Sequence, residues 1–119
     1  MSFRAHLEGV CSQVEGAVAC SVMGFDGIAV ETYEVKQPDV DLQAVLVEYS
    51  NILVQIRNAA EILAAGEVAE VSINTEKLVT IARLVTKDYF MVLAMLPEGN
   101  YGKGRYALRI AAPKIRAEL

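Results

Sequence analysis

Catalysis needs a nucleophile, a tuned acid or base, or a metal, placed where they can meet. The chain is sparing with all three. Its single histidine, His6, falls beside the apolar stripe of a first helix and reads as a partly exposed helix residue, not a general base. Cys11 and Cys20 have neither CxxC spacing nor a pair of histidines nearby, so they read as small buried apolar side chains ahead of a disulfide or metal site. No HExxH or GxSxG run occurs. Asp39 and Asp41 are a close pair of carboxylates, but they precede a long helix, where negative charge favours the N-terminus. They read as helix initiation.

The run Gly99-Asn-Tyr-Gly-Lys-Gly104 has the glycines and lysine of a phosphate-binding loop. Its spacing fails: two residues, not four, separate the first glycine from Gly-Lys, and no Ser or Thr follows Lys103. The Gly99-xx-Gly102 fragment also imitates a KH loop, but a KH loop joins two helices and this one joins a strand to a helix. The tail holds Lys103, Arg105, Arg109, Lys114 and Arg116, a basic amphipathic face that could meet an acidic surface and otherwise reads as a solvated helix side. Pro113 within it should kink or split the helix.

The residues with a docking signature sit in a turn. Gly24-Phe-Asp-Gly27 joins two strand-like runs, and turns ordinarily carry small or polar residues. Phe25 there is expected to stand clear of its own core. With Asp26 and Ile28 it makes a small apolar knob carrying one negative charge, the composition of an interaction hot spot.

The elements that position these residues follow from periodicity. Phe3, Leu7, Val10, Cys11 and Val14 recur at steps of three and four behind Ser2, a possible N-cap, and Gly16 is the stop. Ala17 to Met23 is almost wholly apolar, and Ile28 to Tyr33 alternates more, which makes a hairpin. Pro38 marks a linker from Glu34 to Asp41. From Asp41 to Ala65, Leu42, Val45, Leu46, Tyr49, Ile52, Leu53, Ile56, Ala60 and Leu63 form one stripe of a helix of about 25 residues. Ala44, Val47, Val54, Ile62 and Ala65 form a looser second seam interrupted by Asn51 and Asn58, so the helix is apolar on two sides and wants two partners. Strands follow at Ala69 to Asn74, Leu78 to Val85 and Tyr89 to Leu96, then a closing helix through Leu108, Ala111, Ile115 and Leu119.

Burial pattern orders the sheet. Ala17 to Met23 and Tyr89 to Leu96 read apolar throughout and belong in the middle, whereas Ile28 to Tyr33 and Ala69 to Asn74 belong at opposite edges. The expected fold is α+β, an α/β sandwich of order αββαβββα, with a five-stranded antiparallel sheet ordered 2-1-5-4-3 and helices on both faces. The Ala69 to Asn74 edge has little protection beyond Glu70 and is a candidate for pairing with another chain.

That order, the hairpin Val22-Met-Gly-Phe-Asp-Gly-Ile-Ala-Val30, the long amphipathic helix and the closing Gly104-Arg-Tyr-Ala-Leu-Arg-Ile110 together resemble the Roadblock/dynein light-chain family over nearly the whole chain. The resemblance implies a homodimer in which the long helices pack side by side and the following edge strands join two sheets. The interface would use Val47, Asn51, Val54, Asn58, Ile62, Val71 and Ile73. It implies an adaptor with no catalytic residues, cofactor or metal, which binds a paralogous, MglB-like Roadblock protein, and the knob of Phe25, Asp26 and Ile28 is the expected contact. Through that paralog it would reach a Ras-like small GTPase that sets cell polarity or motility. The alternative is direct GTPase regulation through exposed Asn51, Gln55 and Asn58. The chain lacks the extended C-terminal tail of MglB-type proteins, which favours the paralog as partner.

Composition bounds these readings. The 119 residues are 54% hydrophobic, which suits one domain over 1–119 and exceeds what a core of this size hides, so self-association is expected. A net charge of -4 argues against nucleic acid. No apolar run nears the roughly 18 residues of a membrane span, and Arg4, His6, Glu8 and Glu15 interrupt the first sixteen, so a cytoplasmic protein is expected. A small-ligand sensor would need convergent polar groups around a cavity, and the central strands supply almost none.

Overall fold

Each helix begins on a side chain that satisfies an otherwise orphaned backbone donor. Ser2 Oγ accepts from Ala5 N–H at 3.2 Å, Asp41 Oδ1 from Ala44 N–H at 3.3 Å, and Asn100 Oδ1 from Lys103 N–H at 3.1 Å. The computed structural model describes residues 2–119. Along the chain run α1 (Phe3–Gln13), β1 (Ala17–Gly24), β2 (Ala29–Glu34), α2 (Leu42–Ile62), β3 (Glu70–Asn74), β4 (Val79–Leu84), β5 (Tyr89–Met95) and α3 (Tyr101–Ala117).

The strands form one sheet ordered β2-β1-β5-β4-β3, every pair antiparallel, as burial pattern requires. β1 is buried at every position and β5 at all but Tyr89, while the edge strands β2 and β3 are half exposed. α1 and α3 cover one face, where Leu7, Val10, Cys20, Ile81, Leu93, Leu108 and Ile115 meet. α2 covers the other alone, over Val18, Ala19, Met23, Phe90 and Val92. Polar contacts tie the elements at their margins: Glu70 on β3 forms ion pairs with Arg105 Nε of α3 at 2.7 Å and Arg83 of β4 at 3.7 Å, and His6 Nε2 of α1 lies 3.3 Å from Glu118 Oε2 after α3. The hydrogen bond to Glu70, and then its charge, push the Arg105 guanidinium pKa up.

Three expectations are corrected. α3 starts at Tyr101, so Gly102 to Gly104 lie in its first turn and not in a loop ahead of it, because the Asn100 cap starts the helix early. Pro113 does not split α3, which runs unbroken to Ala117. The bond it forgoes would go to the carbonyl of Arg109, an exposed residue on the outer side of the helix, so no buried acceptor is orphaned. α2 has 21 residues and stops at Ile62, four residues short of the expected length in all. Ala64 takes up φ 53°, and Ala65 N–H closes on Ala60 O at 2.9 Å.

Of the glycines that imitated a phosphate loop, Gly99 and Gly104 are there for close packing, while a Cβ on Gly102 would meet nothing closer than 3.9 Å. A Cβ on Gly104 would come within 3.1 Å of both Ile81 and Leu93, and one on Gly99 within 2.6 Å of the Glu15 carbonyl. Gly16 faces Gly99 from the other side, with φ +89° and only 2.6 Å for a Cβ. Replacing Gly16 by Ala is therefore expected to cost about 2 kcal/mol or more. Gly9→Ala, in open space on α1, should gain about 0.5–1 kcal/mol from helix propensity. Urea denaturation of the two variants separates these signs.

Both cysteines are buried and free. Loss of hydration pushes the Cys11 thiol up to about 11 and Cys20 well above its ordinary value. A raised thiol pKa keeps the proton on through pH 8 and makes the fold lose stability as pH climbs past the unfolded value near 9. Ellman's reagent at pH 8 should accordingly leave the native protein unreacted and titrate both thiols in guanidinium.

Candidate functional site

The β1–β2 connection is built to hold one shape. Gly24 N–H donates to Ile28 O at 2.9 Å, and Gly27 N–H donates to Gly24 O at 3.0 Å. Asp26 Oδ1 accepts from Ile28 N–H at 3.0 Å, an Asx turn that spends one carboxylate oxygen on the turn itself. Gly27 has φ +86°, and a Cβ there would meet Ser50 Oγ of α2 at 3.5 Å. Phe25 N–H reaches across to Asp88 O at 3.1 Å in the β4–β5 turn.

Phe25 does not stand clear of the core. Its ring lies 4.9 Å from that of Phe90, tilted by 45°, and the Arg57 guanidinium sits 3.8 Å from its centroid. Arg57 Nη1 also donates to Lys87 O at 2.6 Å. The expectation failed because the tip folds back under the end of α2, which supplies a cation for the outer ring face. Asp26 is exposed, and Ile28 keeps 67% of its surface in water. Of the three predicted docking residues, two face outward and one props them from behind. Arg57 was missed in the sequence, where a cation fifteen residues into a helix carries no signal for an aromatic thirty-two positions earlier.

α2 buries Leu42, Leu46, Ser50 and Leu53. Ser50 Oγ donates to the Val47 carbonyl at 2.6 Å, which makes a hydroxyl tolerable on that stripe. Ile52 and Leu63, expected on the same stripe, are exposed. Helical spacing sorts the uncovered apolar residues into two rows, Tyr49, Ile52, Ile56 and Leu63 on one flank, Val47 and Val54 with Asn58 on the other. Asn58 borders a cleft whose opposite wall is Leu84 to Asp88, so the Val47 row lies on the β4 and β3 side. Val71 packs on the α2-side core, and Ile73, two residues on, shares its face. Val47, Val54, Asn58, Val71 and Ile73 thus lie on one side of the molecule. Ile62 and Asn51 point farther outward from α2, Ile62 with 84% of its surface exposed.

That cleft, of about 880 Å³, is open and mixes Arg57, Lys87 and Arg116 with Glu61, Glu67 and Asp88. Among the described residues no buried side-chain nitrogen or oxygen lacks a hydrogen-bond partner, and no group of three His, Cys, Asp or Glu side chains is placed to hold a metal. No described helix is long and apolar enough to cross a membrane.

No family model matches the chain, and no curated protein matches it. Solved structures do. MglC from Myxococcus xanthus is 61% identical over 100% of both chains, with a TM-score of 0.73. A Roadblock/LC7 domain from Streptomyces avermitilis is 11% identical, covering 99% of this chain and 98% of that one at a TM-score of 0.84. Myxococcus xanthus MglB is also 11% identical, covering 96% and 91% at 0.83. At this identity the last two show a shared fold. Identity over full length with MglC, joined to that fold, shows that the chain belongs to the Roadblock family as an MglC-like member.

Proposed function

We propose that this protein is a non-catalytic homodimeric adaptor in the control of gliding motility. In this reading it binds a paralogous, MglB-like Roadblock protein through the β1–β2 tip and so acts on a Ras-like GTPase module. The names of its structural relatives, MglC and the gliding protein MglB, support the setting. The observation that carries the docking role is the tip itself: Ile28, two-thirds exposed, stands beside a carboxylate on a turn braced by Phe25, Arg57 and Asp88. A braced apolar knob loses little entropy on binding, which is what a hot spot needs. The dimer would use the Val47, Val54 and Asn58 flank with Asn51 and Ile62 of α2, and the open β3 edge with Val71 and Ile73. Self-pairing there gives unpaired strand groups a partner and covers half-buried apolar side chains.

One observation favours a second reading. Asn51, Gln55 and Asn58 are all exposed on the outer side of α2, a polar row on which a GTPase could bind directly.

Bracing and contact separate by mutation. Ile28→Ala should change stability by no more than about 0.5 kcal/mol, yet weaken paralog binding by about tenfold or more. Phe25→Ala should lower stability by about 2 kcal/mol, since it also strips a partner from Phe90 and Arg57. Light scattering of the protein alone, with the paralog, and with paralog and GTPase reads both association steps. An Ile28→Ala dimer that still captured the paralog at wild-type strength would remove the docking role from the tip. Acceleration of GTP hydrolysis without the paralog would favour the second reading.

A further inference from the structure

The outer face of α3 is charged in one sign and is not consumed by the fold. Between Tyr101 and Ala117 there are five cations and no carboxylate, so a chain of net charge -4 carries +5 on this helix and -9 on the remainder. Arg105 is spent on Glu70. Among the described residues Lys103, Arg109, Lys114 and Arg116 form no ion pair.

Their arrangement is regular. At about 100° per residue, Tyr106, Ile110 and Pro113 fall on one outward line, with Arg109 and Arg116 along one side of it and Lys103 and Lys114 along the other. Tyr106 is 49% exposed and Ile110 44%. Lys103 Nζ lies 5.2 Å and the Arg109 guanidinium 5.6 Å from the centroid of the Tyr106 ring, so the aromatic is flanked from both rims. The inward face of the helix, with Ala107, Leu108, Ala111, Ala112 and Ile115, is occupied by the core. What is left outside is a narrow apolar line between two basic rims.

We infer that this strip docks an acidic segment of a partner protein, one carrying carboxylates on both sides of an apolar side chain. The charge pattern selects it over the other surfaces that attract cations. A flat anionic bilayer would have to approach α1 and the turn after it as well, because α1 lies beside α3 in the same layer; Glu8 and Glu15 are exposed there, and the one exposed cation, Arg4, is paired with Glu31. The apolar line is also too slight to insert, since the large apolar face of α3 already points inward. A single segment laid along α3 meets the rims and avoids α1. The inference is independent of the β1–β2 tip.

Fluorescence anisotropy with a labelled peptide in which single leucines separate pairs of glutamates tests it, with a lysine-for-glutamate peptide as control. The acidic peptide should bind saturably at low salt and weaken as salt rises, while the control should not bind. Arg109→Glu with Lys114→Glu should lose about tenfold or more in affinity at an unchanged melting temperature, and so should Ile110→Ser. Ile28→Ala should bind the peptide like wild type, so that failure of the tip and failure of the strip can be told apart. Absence of saturable binding, or binding indifferent to the double charge reversal, overturns the inference. So does a charge-reversal-sensitive interaction found only with phosphatidylglycerol vesicles, or only as self-association.

Discussion

One helix cannot cover a five-stranded sheet. Strands about 4.8 Å apart make a sheet about 20 Å across, whereas a helix with its side chains is about 10 Å wide. On one face α1 and α3 share the work, and the core between them is closed. On the other α2 lies alone, so its flanks, Leu84, Val71 and Ile73 stay only partly covered. The 54% hydrophobic content is the same imbalance expressed as composition. Each large side chain such as Ile62 or Leu63 left in water forgoes about 1.5–3 kcal/mol that burial would return. That unspent free energy is the physical basis for expecting α2 and β3 to meet another chain.

With so little beneath it, α2 is held by a few strong points. Leu42, Leu46 and Leu53 bury against β1 and β5, and Ser50 closes its hydroxyl on the helix backbone. Arg57 then ties three elements at once, stacking on Phe25 of the β1–β2 turn and bonding to Lys87 O of the β4–β5 turn. A stacked cation is worth about 1 kcal/mol at a half-exposed site, and the carbonyl bond adds a comparable amount. The same clamp that anchors the helix end therefore sets the direction of Asp26 and Ile28. Anchoring and presentation are one device.

The sheet order was legible because burial and alternation are local records of strand position: Ala17 to Met23 reads as central from its own letters. Caps were legible for the same reason, as Ser2 and Asp41 precede apolar periodicity. What escaped depended on distant chain. Whether Phe25 reaches a core is decided by Phe90 and Arg57, far along the sequence, and no spacing rule encodes that. Gly99 and Gly104 looked like a damaged phosphate loop because close packing and phosphate binding ask the same thing of glycine, a backbone without Cβ. The two apolar seams of α2 were visible, but the stripe that holds buried Leu46 and Leu53 also holds exposed Ile52 and Leu63, since a stripe nearly half the helix wide does not say where a single sheet contact is centred.

The two faces of the sheet also differ in what they can hold together. In the proposed dimer, pairing at β3 would extend one sheet across both protomers, setting both α2 helices on one face and both α3 helices on the other. A paralog or GTPase engaging the tip and the α2 side would then leave the basic strips of α3 free, and an acidic segment on those strips would leave the α2 side free. The remainder of the chain carries -9 against +5 on α3, but α2 itself holds only Glu48, Arg57 and Glu61, so the strong field that draws an acidic segment belongs to α3. In that arrangement the α2 side offers apolar flanks and α3 a basic strip, so the sheet between them would let two chemically different partners bind together, with Arg116, which also borders the α2-side cleft, a cation that both could reach.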